Sequence, residues 1–98
     1  MSLGPNSVLI QENGLSAAEV DGRVVILSLK AGSYFDLNKV ASEIWAMLSA
    51  PHSVEEILRE LSRHHDVDAQ ILKHDVMNFL QSLLAQRLVR VIAIEAVQ

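Results

Sequence analysis

The chain has 98 residues, 50% hydrophobic and 20% charged, with a formal charge of −4; this fits one globular domain and excludes both a disordered chain and two separate cores. The three Lys and five Arg are scattered, which disfavours sequence-independent binding to nucleic acid. The absence of Cys excludes disulfides, thiolate metal sites and thiol catalysis. No apolar run of about 18 residues occurs, so no membrane span is expected. Residues 1–7 lack the basic and apolar parts of a signal peptide, so they are read as a flexible end or tag remnant of a cytoplasmic protein, with a single domain over 8–98.

Val8, Leu9 and Ile10 form a short apolar run, either a first strand or a packed arm. A strand over 15–20 leads into Asp21-Gly22, a strong hairpin signal because both central positions of so tight a turn take positive φ. Residues 23–29 follow, nearly continuous in Val24, Val25, Ile26 and Leu27, which predicts a central strand covered on both faces. Lys30-Ala31-Gly32 turns the chain into a third strand over 33–37. The result is a three-stranded antiparallel meander with its third strand at an edge. Side chains alternate along that strand, so Phe35 and Leu37 point inward, and Tyr34 and Asp36 face water or a peptide.

Asn38 caps a helix to about residue 49, with Val40, Ala41, Ile44, Trp45 and Leu48 on one face; Pro51 stops it. Ser53 and Glu56 make a capping box for a second helix, whose face is Val54, Ile57, Leu58 and Leu61 and which His64-His65-Asp66 closes. Asp68 caps a third helix to about residue 87, and 89–94 reads as a short C-terminal strand. The fold class is α+β: a winged helix-turn-helix in which the sheet is followed by three helices and that strand.

Helix three carries more apolar surface than one core contact needs. At 100° per residue, Leu72, Val76, Phe79 and Leu83 lie within about 60° of one another, and Met77, Leu80 and Leu84 widen the arc to roughly 160°. Either the helix is covered on two sides or one border of the arc lines an open groove. The strand over 33–37 is short and has one Asp, with neither Lys nor Pro, so either its shortness protects the edge or the edge is open to a partner. An extended peptide added there would hydrogen-bond to the main chain while its side chains enter pockets beside helix three. Asp75, at the polar border of that helix, is either a solvated charge or a contact for a basic peptide residue. The four histidines lack metal-ligand spacing: His64 and His65 are adjacent, His74 lies past a helix break, and His52 sits in a loop. No nucleophile motif, phosphate loop or cofactor motif is present, so no enzyme is expected.

Gly32-Ser33-Tyr34-Phe35-Asp36-Leu37-Asn38 resembles the Gly-x-Tyr-aromatic-x-Leu-Asn segment of PqqD-like proteins, also called RiPP recognition elements. Ala41-x-x-Ile44-Trp45-x-x-Leu48, Ser53-Val54-Glu55-Glu56-Ile57 and Asp75-Val76-x-x-Phe79-Leu80-x-x-Leu83 are similar to the family's three helices, in the same order. The resemblance implies binding of the leader region of a ribosomal precursor peptide, as a strand added at 33–37 and resting on helix three. It assigns peptide contacts to Ser33, Tyr34, Phe35, Asp36, Leu37, Leu72, Asp75, Val76 and Phe79, with no metal or cofactor. The Tyr34-Phe35 pair and Trp45 look like the stand-alone members of lasso-peptide pathways, which pass the leader to a cysteine protease. A pyrroloquinoline-quinone-type chaperone for a radical-SAM enzyme is the alternative inside the family. The run at residues 8–10 and the long C-terminal strand depart from the pattern and are candidates for a homodimer contact. Outside the family, the rivals are a DNA-binding winged helix, for which helix three offers only Lys73 and Arg87, and an oligomerisation domain.

Overall fold

A computed structural model describes residues 3–93. Strands β1 (Val8–Gln11), β5 (His52–Ser53) and β6 (Val89–Ala93) form one three-stranded sheet in the order β5-β1-β6. Strands β2 (Ser16–Val20), β3 (Arg23–Ser28) and β4 (Ser33–Asp36) form a second, in the order β2-β3-β4. All pairings are antiparallel. Helices α1 (Lys39–Met47), α2 (Val54–His64) and α3 (Ala69–Ala85) supply most of the core, in which Ile57, Leu48 and Leu80 are fully buried. This is the winged helix-turn-helix expected, with its meander intact and β4 at an edge.

Local chemistry accounts for the element ends. The β2–β3 turn holds Asp21 at φ 55° and Gly22 at φ 81°, the mirror-image geometry a two-residue hairpin requires. Asn38 accepts from the Ala41 N–H at 2.8 Å, and Asp68 from the N–H groups of Gln70 and Ile71 at 2.9 and 3.2 Å. Ser53 and Glu56 close the capping box in both directions, at 3.0 and 2.8 Å. The hydrogen bond that Glu56 accepts from the Ser53 backbone holds its carboxyl below the usual carboxylate range.

Helix α3 ends differently. The Leu88 N–H donates to Leu83 O and the Arg87 N–H to Leu84 O, which is the Schellman pattern, and its left-handed position is taken by Arg87 at φ 59°. A side chain with Cβ there costs roughly 1 kcal/mol relative to Gly. Arg87→Gly therefore raises the thermal midpoint by about 4–8 °C, the shift that about 1 kcal/mol produces in a domain of this size. A calorimetric scan showing no increase would mean that the Arg87 side chain offsets its own backbone cost.

Three expectations are corrected. First, β3 is covered on one face: Ile26 and Ser28 are buried, but Leu27 is 43% and, just beyond, Leu29 is 75% exposed. An unbroken apolar run cannot distinguish a two-sided strand from one with an apolar outer face. Second, of the two readings of residues 8–10, a first strand or a packed arm, the strand is the one found, and its sheet takes in His52, which was expected in a loop. That strand, β1, lies at the centre of its sheet, with Leu9 opposite both His52 and Val91, so no main-chain edge of β1 remains for a dimer. Residue 94 of the expected last strand lies outside the described residues. Third, the described part of the N-terminal segment is packed. Leu3 joins the core, and the carbonyls of Ser7 and Pro5 accept the Val54 and Glu55 N–H groups at 3.1 and 2.9 Å. Those donors have no partner inside α2, so residues 5 and 7 complete its cap.

Candidate functional site

Edge strand β4 is positioned by the junction of β3, β4 and α1. Ser42 is buried on α1. Its Oγ accepts from the Val24 N–H at 2.8 Å and donates to Leu37 O at 3.2 Å. One hydroxyl thus ties the helix to two strands. Ser42→Ala leaves the Val24 N–H without its partner and lowers unfolding free energy by about 1–3 kcal/mol, measurable by urea denaturation. Unchanged stability would mean that water replaces the hydroxyl.

The register of β4 determines which main-chain groups face away from the sheet. The Leu37 N–H donates to Val24 O at 2.8 Å. Bonded pairs recur at every second residue of an antiparallel ladder, so the groups of Phe35 and Ser33 also face β3. The N–H and C=O of Tyr34 and Asp36 point to the open side. Among the described residues, β4 is paired with β3 alone. The Tyr34 side chain is 72% exposed, while Arg23 holds the Asp36 carboxylate at 3.2 Å and also reaches Leu37 O.

A groove of about 360 Å³ opens beside the end of this strand. Its α1 side is Asn38, Val40, Ala41 and Ile44, and its α3 side is Leu72, Asp75, Val76 and Phe79. Val67, in the loop before α3 and 48% exposed, also lines it. Asn38 lies two residues past the end of β4, so edge and groove adjoin through the chain itself. Leu72 and Val76 are buried and form the floor; Phe79 is half-buried, and Asp75 is exposed. The apolar excess of helix three therefore divides: Leu80 and Leu83 serve the core, and the Leu72–Val76–Phe79 border serves the groove.

The nine residues singled out in the sequence fall into two adjoining groups. Leu72, Asp75, Val76 and Phe79 line the groove. Ser33, Tyr34, Phe35 and Asp36 make β4, and Leu37 continues it. Within that second group Leu37 is core, and its main-chain groups are already bonded to Val24, Arg23 and Ser42. Phe35 also packs on the core. Val67, Val40 and Asn38 were not singled out as contacts. Val67 carried a signal, being one apolar residue between Asp66 and Asp68 in a polar loop.

The histidines are engaged with protein groups. His65 meets Glu43 at 2.7 Å, His64 meets Glu60 at 2.9 Å, His74 contacts Asn78, and His52 contacts Ala50 O. No group of three or more potential metal ligands occurs among the described residues. A larger cavity, about 730 Å³, lies between the β1–β2 connection, the β3–β4 turn and the end of α3, with Glu12, Lys30 and Arg87 in its lining. No described helix is long and apolar enough to cross a membrane.

Fold and site together define a winged helix-turn-helix domain with an exposed strand edge beside an apolar groove. The family model for coenzyme PQQ synthesis protein D (PqqD) matches residues 23–89, from β3 to the start of β6. The chain belongs to the PqqD family. It is similar to the solved structure of TbiB1 in complex with the TbiA(beta) leader peptide, at 29% identity and TM-score 0.76, over 89% of this chain and 99% of that one. A lasso peptide synthetase B1 complexed with the leader peptide has the same fold at 23% identity and TM-score 0.74, over 84% and 96%. So does the PqqD truncation of Methylobacterium extorquens PqqCD, a stand-alone RiPP recognition element, at 20% identity and TM-score 0.74, over 91% and 95%. No curated protein sequence matches the chain.

Proposed function

We propose that this protein recognises the leader region of a ribosomally made precursor peptide and presents it to a processing enzyme. The observation that carries this reading is the open main-chain side of β4, at Tyr34 and Asp36, adjoining the groove walled by Phe79 and Val67. A peptide extended along β4 gains hydrogen bonds from any sequence, and an apolar side chain entering the groove selects among sequences. Asp75 favours a basic peptide residue nearby. Family membership and the likeness to TbiB1, solved with a leader peptide, support the same reading. Recognition of this kind needs no catalytic group of the chain's own. It raises the concentration of the precursor at the enzyme, in the cytoplasm where the precursor is made.

A lasso-peptide pathway, with a cysteine protease that removes the leader, is the preferred setting because of the Tyr34-Phe35 pair and Trp45. A radical-SAM partner is the alternative. Calorimetric titration of the protein with synthetic leader peptides, the TbiA(beta) leader first among them, tests the proposal. Saturable one-to-one binding at micromolar concentration or below is expected. No binding of those leaders, together with saturable binding of duplex DNA at low salt, would overturn it in favour of a winged-helix DNA binder.

A further inference from the structure

The cavity of about 730 Å³ at the Ser33 end of β4 has no part in the site described so far. We propose that it is a second subsite for the leader peptide, taking an Asp or Glu side chain and so fixing the peptide's register along β4, a role that rests on the peptide recognition proposed above. Ala31 lines this cavity two residues before β4 begins, and Asn38 lines the groove two residues after it ends. Helix α3 backs both. Its Leu72–Phe79 border forms the groove, and Gln86 and Arg87, just past its last turn, line the cavity. From the middle of that border to Arg87 is roughly 16 Å at 1.5 Å per residue, which about five extended residues span.

The charge of the cavity selects its ligand. The chain is acidic overall, at −4, yet this lining holds cations in excess. Its one carboxylate, Glu12, is already engaged: it accepts from the Asn13 N–H at 3.2 Å and from Arg90 at 2.9 Å, and these bonds hold it below the usual carboxylate range. Lys30 adds a weaker pull on Glu12 without bonding to it. Among the described residues neither Lys30 nor Arg87 makes an ion pair, so two positive charges are left for an incoming anion.

Arg87 gives an independent sign. It holds the left-handed position that ends α3, where Gly would sit without cost. A side chain kept there at a structural loss points to a use outside the fold. The subsite also supplies what the rest of the site lacks. Main-chain pairing along β4 has no sequence preference and tolerates slips of two residues, which keep the same side chains facing the groove. An anion held at a set distance from the groove removes those slips. With Asp75 at the groove and cations at the far end, the peptide's own order of charges sets its direction as well.

The test titrates the full chain by calorimetry with synthetic leader peptides, TbiA(beta) first among them. Every Asp and Glu of the leader is replaced by its amide, and a single Glu is then placed at each position in turn. One position is expected to bind about fivefold more tightly than the neutral peptide. It lies about five residues from the apolar residue whose replacement couples to Phe79→Ala in a double-mutant cycle. Lys30→Gln and Arg87→Gly each cut that preference to about twofold or less. Arg87→Gly does so while raising the thermal midpoint, whereas a purely structural role would move stability and affinity together. If the neutral leader binds but no Glu position is preferred, or if the preference survives both substitutions, the subsite is overturned and the peptide reading stands. If no leader binds in any form, both fall.

Discussion

Replacing Phe79 by Asp is expected to weaken leader-peptide binding by about 30- to 100-fold while leaving the circular dichroism spectrum of the folded chain in place. Phe79 is half-buried at the wall of the groove, so its ring contributes less to the core than Leu80 or Leu83 does. Filling the groove with a peptide side chain completes the desolvation of that ring. An aromatic anchor at the centre of a contact is commonly worth about 2–3 kcal/mol, and each 1.4 kcal/mol is about tenfold in affinity. The aspartate also brings a second charge within one helical turn of Asp75, in a place where an apolar side chain would otherwise lie. Calorimetric titration reads the affinity, and far-ultraviolet dichroism with a thermal scan reads the fold. If the variant stays folded and binds as tightly as before, the groove is not the contact. If it unfolds, Phe79→Ala serves the same test, since it removes the ring without burying a charge.

The parts of this molecule that were legible in the sequence are those decided locally. Asn38, Ser53 and Asp68 each satisfy helix N–H groups within three residues, so their caps follow from spacing alone. Asp21-Gly22 needs only its own two φ angles. What could not be read depends on partners far along the chain. Strand β5 has two residues, too few for any periodicity, and exists because Val8 and Leu9 lie opposite them. The cap supplied to α2 by Pro5 and Ser7 joins residues nearly fifty positions apart. Ser42 gives no sign of burial in a helical pattern, because a hydroxyl counts as polar until a strand N–H is found beside it.

The candidate site shows the same division. The apolar border of α3 was visible as excess arc on the helix, since its cause is the 100° step between residues. The opposite wall was hidden: Val40, Ala41 and Ile44 had already been assigned to the core face of α1, and the pattern does not show that α1 and α3 leave space between their ends. On β4 the alternation identified Tyr34 and Asp36 as outward side chains. Which main-chain groups face the open edge depends instead on the register with β3, settled by the bond from Leu37 to Val24.

That register makes the second large prediction, because it assigns opposite results to neighbouring prolines. Tyr34→Pro removes an N–H that points away from β3, so no bond within the sheet is lost, and a strand at an edge accommodates the ring. Ser33, which precedes it, is already extended, as a residue before proline must be. The fold persists, but a peptide aligned with β4 loses a donor and meets the ring where its own main chain should lie. Affinity for the leader peptide falls about tenfold or more below that of Tyr34→Ala, which removes the same phenol and keeps the N–H. Phe35→Pro, one residue on, removes a donor that faces β3 together with a ring packed on the core, and it destabilises the chain by several kcal/mol. Equal affinity for Tyr34→Pro and Tyr34→Ala, with both proteins folded, would show that the peptide does not join the sheet at β4, whatever the groove contributes.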